Sequence, residues 1–447
     1  MLRDYQQDIY DKIKIALCTH KGVCAVLPCR SGKSYIMEEI CKSALQKNSN
    51  VLILAHRNIL LEQHKELIDY PNVRIESVFT EANHLGEKGR VDLIIIDEAH
   101  ISGCESYHKV CNYYDCKRVL LTATPARLDG KPLDLAEIII EGITAQELIK
   151  RGYISDYDLY APKLDIDLSN VDIYDNDYSS SQLEEVMMNP KIYGDVLKYY
   201  RKLADGKQAI AYCTSVKHSL LVCKMFNDNG YKAKHIDSHT SLQEREKVMQ
   251  EFKNGEFTIL CNCNLISEGI TLSTCEVCLA LRPTQSLSLW VQQACRALTP
   301  VKGKRAVIID YTGNCFRHGM PTEKHEWSLT ERKKCRNPSG EKEILARTCQ
   351  KCMRTYEGIK PICPYCFFEN GKTEREIKQE KQAELERITA VQKREKRIEV
   401  GKTRNFEELC RICKERGYKS GWVIAQSKLK GIPMDWRLYN KLKREID

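Results

Sequence analysis

The chain has 447 residues, of which 42% are hydrophobic and 29% charged, and a formal net charge of +9. That length allows two to four domains that each bury a core, and no apolar run reaches the ~18 residues of a membrane helix. The opening MLRDYQQDIYDKIK carries no signal-like apolar segment, so a cytoplasmic, reducing compartment is expected. Residues 331–447 hold 30 Lys+Arg against 18 Asp+Glu, while the first 330 hold 40 against 43. The basic excess therefore lies in the C-terminal quarter, as suits contact with a polyanion or a solvated charged helix. Most of the 22 cysteines stand singly in apolar stretches, such as Cys24, Cys41, Cys223 and Cys261. They read as reduced core residues.

In chain order, Tyr5, Ile9, Ile13 and Leu17 share one face of an opening helix. The apolar run Val23 to Leu27 then breaks at Pro28, and Gly32-Lys33-Ser34 opens a second helix that ends near Lys47. A strand, a tight loop and a helix start bearing Gly-Lys-Ser make a phosphate cradle. Helix N-terminal amides point at the anion, with Arg30, Ser31 and Gly32 forming the loop. Lys33 adds a point charge and Ser34 a hydroxyl for magnesium. Leu27 stands where the first glycine of such loops is usual, and Arg30 where a small residue is common. Gln6 offers an amide able to pair with the N6/N7 edge of adenine.

A strand at Val51 to Ala55 leads to His56-Arg57 and a helix from about Asn58. Another strand, Val91 to Ile96, ends in Asp97-Glu98-Ala99-His100. Two carboxylates at the end of a buried parallel strand lie beside a phosphate loop in doubly wound sheets. Asp97 is expected to hold magnesium through water, and Glu98 to orient and deprotonate the attacking water. A strand from Arg118 to Leu121 then ends in Thr122-Ala123-Thr124-Pro125.

LRDYQ, PCRSGKS, LILAHRNILLEQ, IIIDEAH and LLTATPARLDG, in this order, resemble the superfamily II helicases of the DEAH type. EGITAQELIKRGYISDYDLYAP is similar especially to phage and bacterial members. The resemblance implies a RecA-like first domain over residues 1–160 that binds ATP and Mg2+. It also implies nucleic-acid contact through His56, Arg57, Thr122, Thr124 and Arg282, the two threonines linking that track to the nucleotide.

Residues 161–189, which include a polar, acidic stretch from Asp165 to Ser181, read as a linker. From 190 to 320 strands and helices alternate again with no phosphate loop, so a second RecA-like domain should act in trans. Ser267-Glu268-Gly269-Ile270 resembles the family's nucleotide-side motif, with Thr271 where Asp is usual. Gln292 and Arg296 match QxxGRxxR, while Cys295 replaces its glycine and Thr299 its last arginine. Arg296 is the expected arginine finger.

Cys349-x-x-Cys352 and Cys363-x-x-Cys366 have the spacing of a structural Zn2+ site within 330–370. Cys410-x-x-Cys413 lacks a second pair and reads as non-metal. Residues 371–447 read as a charged helix and a basic tail in which Arg416, Tyr418, Lys419, Trp422, Lys428 and Lys430 suit stacking and phosphate contact. A small packed helical module explains the same residues.

The expected fold is α/β: two tandem RecA-like parallel-sheet domains of the P-loop NTPase kind, a small zinc ribbon and a basic helical tail. The expected activity is that of an ATP-dependent helicase or translocase on duplex or branched DNA in replication, recombination or repair. DNA is favoured over RNA, in the cytoplasm of a bacterial or phage-infected cell. The alternatives are an RNA helicase, a nucleic-acid-binding regulator with a weakened ATPase, and the motor subunit of a restriction-type nuclease.

Overall fold

Short apolar runs separated by amphipathic helices dictate parallel sheets covered on both faces. The computed structural model describes residues 2–56, 58–125, 133–162, 166–174, 176–263, 274–325, 327–329, 346–358, 360–371 and 403–446. The first half runs α1 (Asp4–Thr19), β1 (Gly22–Val26), α2 (Lys33–Gln46), β2 (Val51–Ala55), α3 (Asn58–Leu67), β3 (Val73–Ser77), α4 (Val78–Asn83) and β4 (Leu93–Asp97). It continues through α5 (Glu105–Tyr114), β5 (Lys117–Thr122), β6 (Ile138–Glu141) and α6 (Ala145–Lys150). Its six strands form one sheet in the order β3-β2-β4-β5-β1-β6, every pair parallel.

Alternate residues feed two cores. Ala25, Ile53, Ile95 and Val119 pack on one face, and Cys24, Leu52, Ile94 and Leu120 on the other. This is the period-two signature of a doubly covered sheet.

The second sheet repeats the plan. It holds β7 (Tyr157–Tyr160), β10 (Ala209–Tyr212), β11 (Ala233–Ile236), β12 (Ile259–Asn262), β13 (Val277–Ala280) and β14 (Ala306–Asp310), in the order β11-β12-β10-β13-β14-β7. Helices α8 (Pro190–Ala204), α9 (Val216–Asp228), α10 (Leu242–Lys253) and α11 (Leu287–Ala294) join them.

Two expectations need correction here. Strand β7, expected in a first domain ending at 160, pairs in parallel with β14, because the second sheet needs an edge strand and the chain reaches it before residue 161. The expected linker is also a docked part of this half. It forms a hairpin of β8 (Ile173–Tyr174) and β9 (Asp177–Tyr178) and a helix, α7 (Ser180–Met187). The Asp177 carboxylate accepts hydrogen bonds from Thr284 Oγ1 and Gln285 N.

A two-stranded hairpin, β15 (Ala346–Thr348) with β16 (Thr355–Glu357), carries the paired cysteines. It is fastened to the free side of β7. Ala161 N donates to Thr355 Oγ1 at 3.0 Å, and Arg354 Nη2 meets Asp158 Oδ2 at 2.9 Å. Asp158 is buried and is shared with Arg305 Nε at 2.8 Å.

Helix α12 (Asn314–His318) follows β14. In the C-terminal unit, residues 371–447, the described residues 403–446 form by themselves a packed trio of helices, α13 (Phe406–Glu415), α14 (Gly421–Lys430) and α15 (Trp436–Ile446). Phe406, Leu409, Cys413, Val423, Tyr439 and Leu442 are its core. Tyr418 and Trp422, expected to stack on bases, are half-buried with rings 4.9 Å apart. Trp436 is 60% exposed.

The shared carboxylate gives a test of the hairpin's attachment. Asp158→Ala leaves two guanidiniums without their common acceptor, and hydrogen bonds to charged groups contribute about 2 kcal/mol each. The expected result is a lower urea midpoint, with residues 346–371 becoming the earliest sites of limited proteolysis. An unchanged midpoint and cleavage pattern would show that the ion pairs do not hold the hairpin.

Candidate nucleotide site

The sheet ends set the phosphate loop. Leu27 N donates to Thr122 O at 3.0 Å, extending β1 along β5 by one residue. Leu27 itself is fully buried in the core. The position where a glycine is usual is therefore still inside the sheet, and the turn begins after it. Arg30 (φ 67°) and Gly32 (φ 81°) supply the left-handed residues of that turn. A Cβ on Gly32 would lie 2.5 Å from Gln6 Nε2, so both conformation and space require glycine there. Helix α2 starts at Lys33, which leaves its first amides directed at the loop, the arrangement that binds phosphate.

Helix α1 braces the loop from behind. Tyr5 Oη donates to Ser31 O at 2.8 Å and Gln6 Nε2 to the same carbonyl at 3.0 Å. Gln6 Oε1 accepts from Arg3 N at 2.9 Å. Both ends of the Gln6 amide are thus engaged with backbone. In this structure Gln6 holds the loop, the position from which the expected adenine contact would have to be made.

Strand β4 delivers Asp97 and Glu98 opposite Lys33. Asp97 Oδ1 accepts from Glu98 N at 3.0 Å, and Oδ2 lies 3.0 Å from His64 Nε2. Burial alone would raise the Asp97 pKa, but His64, Lys33 and the Glu98 amide outweigh it and keep the carboxyl below its ordinary value. Burial likewise works against Lys33, yet Glu98, Cys29 and Asp97 hold the ammonium above its ordinary pKa. Both groups are thus held charged, as a magnesium-phosphate site requires. Glu98 takes φ 51°, a left-handed conformation costing of order 1–3 kcal/mol in a non-glycine residue. Its Oε2 is buried without a hydrogen-bond partner among the described residues, 3.4 Å from His100 Nδ1. A buried carboxylate oxygen of this kind fits a water held for attack. Ser34, on the first turn of α2, and Asp97 are the residues that would hold Mg2+.

His64 escaped the sequence reading. It occupies a buried position on α3, in helical register with Leu60, Leu61 and Ile68, and such a site passes for an ordinary core residue. Only the sheet order, which puts β2 and its following helix beside β4, brings it to Asp97.

The second half closes the cleft. Gln292 Nε2 lies 3.0 Å from His100 Nε2, with both residues buried. Since an amide nitrogen donates, His100 Nε2 accepts, and the ring proton belongs on Nδ1, toward Thr122 Oγ1 (3.5 Å) and Glu98. Arg296, on the 3-10 turn Cys295–Leu298, is buried beside this set. Burial and the neighbouring Arg296 charge push the Arg30 guanidinium down to about 10. Lys33, Arg30 and Arg296 thus converge from two domains, a geometry that suits a polyphosphate. Thr299 Oγ1 donates to Arg296 O at 3.4 Å, and its carbonyl accepts from Ser155 Oγ at 3.0 Å and Lys304 Nζ at 3.1 Å. A cavity of ≈ 80 Å³ between the halves is lined by Pro28, Cys29, Thr124, Val291, Cys295 and His325, among others.

On the expected nucleic-acid side, His56 follows β2 and is half-buried, while Thr122 ends β5 and Thr124 follows it, both buried. Thr122 Oγ1 donates to Thr124 O at 3.0 Å. Arg282 Nη2 is 3.6 Å from Asp177 Oδ2, on the β8–β9 hairpin. Arg57, Glu268, Gly269 and Thr271 lie outside the described residues.

The cysteine cluster is built from two equivalent turns. In each, the N–H of the first cysteine donates to the carbonyl five residues on (Arg354 and Phe368). The residue four on (Met353 and Phe367) donates back to that cysteine, and takes φ 65° or 56°. The Sγ atoms of Cys349, Cys352, Cys363 and Cys366 all lie within 4.8 Å of one another, with Cys349–Cys366 at 3.5 Å and Cys352–Cys363 at 3.6 Å. Tetrahedral zinc at ~2.3 Å from each sulfur sets them ~3.8 Å apart, so the donor set fits. Cys413 Sγ instead donates to Tyr418 O, and Cys410 packs in the tail core.

Comparison with known proteins agrees with this geometry. The family model "Helicase conserved C-terminal domain" matches residues 192–299, and "Type III restriction enzyme, res subunit" matches residues 1–70 and 72–127. The chain is 32% identical to the "51.5 kDa protein" of a Lactococcus phage (isolate 7-9) over 92% of this chain and 90% of that one. It is 28% identical to IRC3, a Saccharomyces cerevisiae protein named as an ATP-dependent helicase, over 70% of this chain and 52% of the yeast protein. Among solved structures, the DNA-bound Type ISP restriction-modification enzyme LlaBIII superposes with a TM-score of 0.52 at 16% identity, over 70% of this chain and 28% of that one. Among the described residues no helix is long and apolar enough to cross a membrane. With one model matched in each half and a relative 32% identical over most of both chains, the chain belongs to the superfamily II helicases and is a nucleic-acid-dependent ATPase of that class.

Proposed function

We propose that this ATPase is a DNA translocase or helicase of the DEAH subtype, acting on duplex or branched DNA in replication, recombination or repair. The observation that carries the reading is the closure of Gln292 onto His100, with Arg296 beside Lys33. This joins the second domain to the acidic end of β4, so phosphate chemistry is coupled to the relative position of the two sheets. Lys33 and the α2 amides bind phosphate, Asp97 and Ser34 hold Mg2+, and Glu98 orients water and accepts its proton. Arg296 neutralises charge that develops in the transition state. DNA over RNA is supported by the restriction-type model on the first half and by the DNA-bound structural neighbour.

Glu98→Gln is expected to keep ATP binding and lose hydrolysis, and Arg296→Ala to lower turnover by up to ~10³-fold with binding retained. Steady-state hydrolysis and nucleotide-binding titrations of the two proteins check this. Parental turnover in Glu98→Gln would remove Glu98 as base.

We assign the four clustered cysteines to one structural zinc, which supplies a cross-link in place of a hydrophobic core. Metal analysis of protein purified without chelator is expected to give one zinc per chain. Cys352→Ser should release it and open residues 346–371 to protease, with the two RecA-like domains folded. Zinc-free parental protein with an intact hairpin would contradict the assignment.

The substrate is tested by hydrolysis rates with single-stranded DNA, duplex, forked DNA and RNA in parallel. Forked or duplex DNA is expected to stimulate most. Removal of residues 372–447 should leave stimulated hydrolysis but weaken binding and flatten its salt dependence, since fewer phosphates are neutralised. Far stronger stimulation by RNA would replace the DNA reading with an RNA helicase.

A further inference from the structure

The C-terminal trio of helices carries more positive charge than its own fold uses. Residues 403–446 hold eleven Lys+Arg against five Asp+Glu, and two of those acids are engaged at the ends of α15. Asp435 Oδ1 caps the helix by accepting from Arg437 N at 2.9 Å and Leu438 N at 3.2 Å. Glu445 Oε2 pairs with Lys414 Nζ at 2.8 Å, which ties the last turn to α13. Both ends of α15 are thus fixed, and with them the face that it presents.

Helical spacing defines that face. Tyr439 and Leu442 are buried, Leu438 and Ile446 half-buried, and all four pack in the core of the trio. On the opposite side Arg437, Lys441 and Arg444 recur at i, i+4 and i+7, with Asn440 beside them. These four residues are exposed. Among the described residues the ion pairs of this unit are Arg411–Glu415 and Lys414–Glu445, and neither includes the three cations. At 1.5 Å per residue the row spans ~10 Å. Like charges held in a rigid row repel, and a polyanion relieves that repulsion.

The surface suits a duplex better than a single strand. Single strands are held by stacking on exposed aromatic rings, whereas Tyr418 and Trp422 pack on each other and against the core. Trp436 is exposed, but its ring stands edge-on to Tyr439. Duplex DNA offers a major groove ~12 Å wide, which admits one helix of ~10–12 Å diameter. Arginine and asparagine match the guanine and adenine edges exposed there, and lysine and arginine the phosphates of its walls.

We propose that α15 is a duplex-recognition helix, which enters the major groove of DNA with Arg437 and Asn440 toward base edges and Lys441 and Arg444 on the flanking phosphates. The assignment rests on DNA as the substrate in the proposed function. It adds the form of DNA that the C-terminal unit holds and the residues that hold it. The tyrosine and tryptophan of the turn before α14 then serve the core, and the contact moves to the last helix.

Anisotropy titrations of the full chain, purified without chelator and kept free of nucleotide, test this over a series of salt concentrations. Lys441→Ala with Arg444→Ala is expected to weaken binding to a mixed-sequence DNA duplex by about tenfold and to lower its salt slope by about two, near 0.9 per phosphate. A single strand should lose far less. So should the RNA duplex of the same sequence, because side chains cannot read the deep, narrow A-form major groove. Arg404→Ala with Arg411→Ala removes the same charge from exposed positions elsewhere on the trio. Because charges away from the phosphates act only through screened attraction, duplex affinity should then stay within about twofold. Equal losses from the two double variants would show attraction by net charge alone and overturn the face. Equal losses on DNA and RNA duplexes overturn groove entry, and unchanged affinity in Lys441→Ala with Arg444→Ala overturns the proposal. A selective duplex loss in protein whose hydrolysis no nucleic acid stimulates supports the recognition helix and counts against the proposed function. Stimulated hydrolysis without any duplex loss has the converse meaning.

Discussion

The structure depends on gathering like charges where two parallel sheets meet. Lys33 and Arg30 from the first sheet's loop converge with Arg296 from the second domain, faced by Asp97 and Glu98. Unit charges ~4 Å apart at an effective dielectric of ~20 interact by about 4 kcal/mol. Each uncompensated pair is therefore comparable with a large part of a domain's net stability. Such an arrangement is tolerable because carboxylates are interleaved with the cations. It becomes favourable when a polyphosphate enters. Binding and domain closure are then one event, since the anion that relieves the repulsion is held from both sides.

Closure is transmitted by buried neutral contacts as well as by charge. Gln292 reaches His100, and His100 lies beside Thr122 and Glu98. A shift of the second sheet therefore moves a hydrogen bond two residues away from the strained Glu98 backbone. His64 acts from the opposite side: by engaging Asp97 Oδ2 it leaves that carboxylate little rotational freedom. Asp97 and Glu98 are thus oriented differently, one fixed within its own domain and the other answerable to both. The knuckle hairpin extends the same rigidity outward, because Asp158 and Thr355 bind it to the edge of the second sheet.

Much of this was legible in the sequence because strand ends and helix starts have local signatures. The Gly-Lys-Ser helix start, the acidic end of β4 and the two short cysteine spacings each declare themselves within a few residues. What the sequence did not declare depends on neighbours distant in the chain. His64 looks like a core position until β2 is known to lie beside β4. Asp177 looks like part of an acidic linker until Thr284 and Gln285 are found donating to it. Strand β7 looks like the end of one domain, although its hydrogen-bonding partner, β14, lies some way along the chain in the next. The backbone partners of Gln6 were hidden for the related reason that an amide has two ends and the sequence cannot say which groups fill them.

The departures from the family pattern that the structure describes share a location, and that location bears on whether the ATPase has decayed. Random loss of function would leave substituted positions loosely packed, with unsatisfied polar groups. Here Leu27 is a fully buried core residue that prolongs β1. Thr299 is buried with its hydroxyl donating to Arg296 O. Cys295 is buried in a core against which Cys29 packs. Each substitution is accommodated by a partner in the loop, the adjoining strand or the opposite face of the cleft. Concerted packing of this kind is what selection for a working, closing cleft produces, and it weighs against a regulator that has kept only the fold.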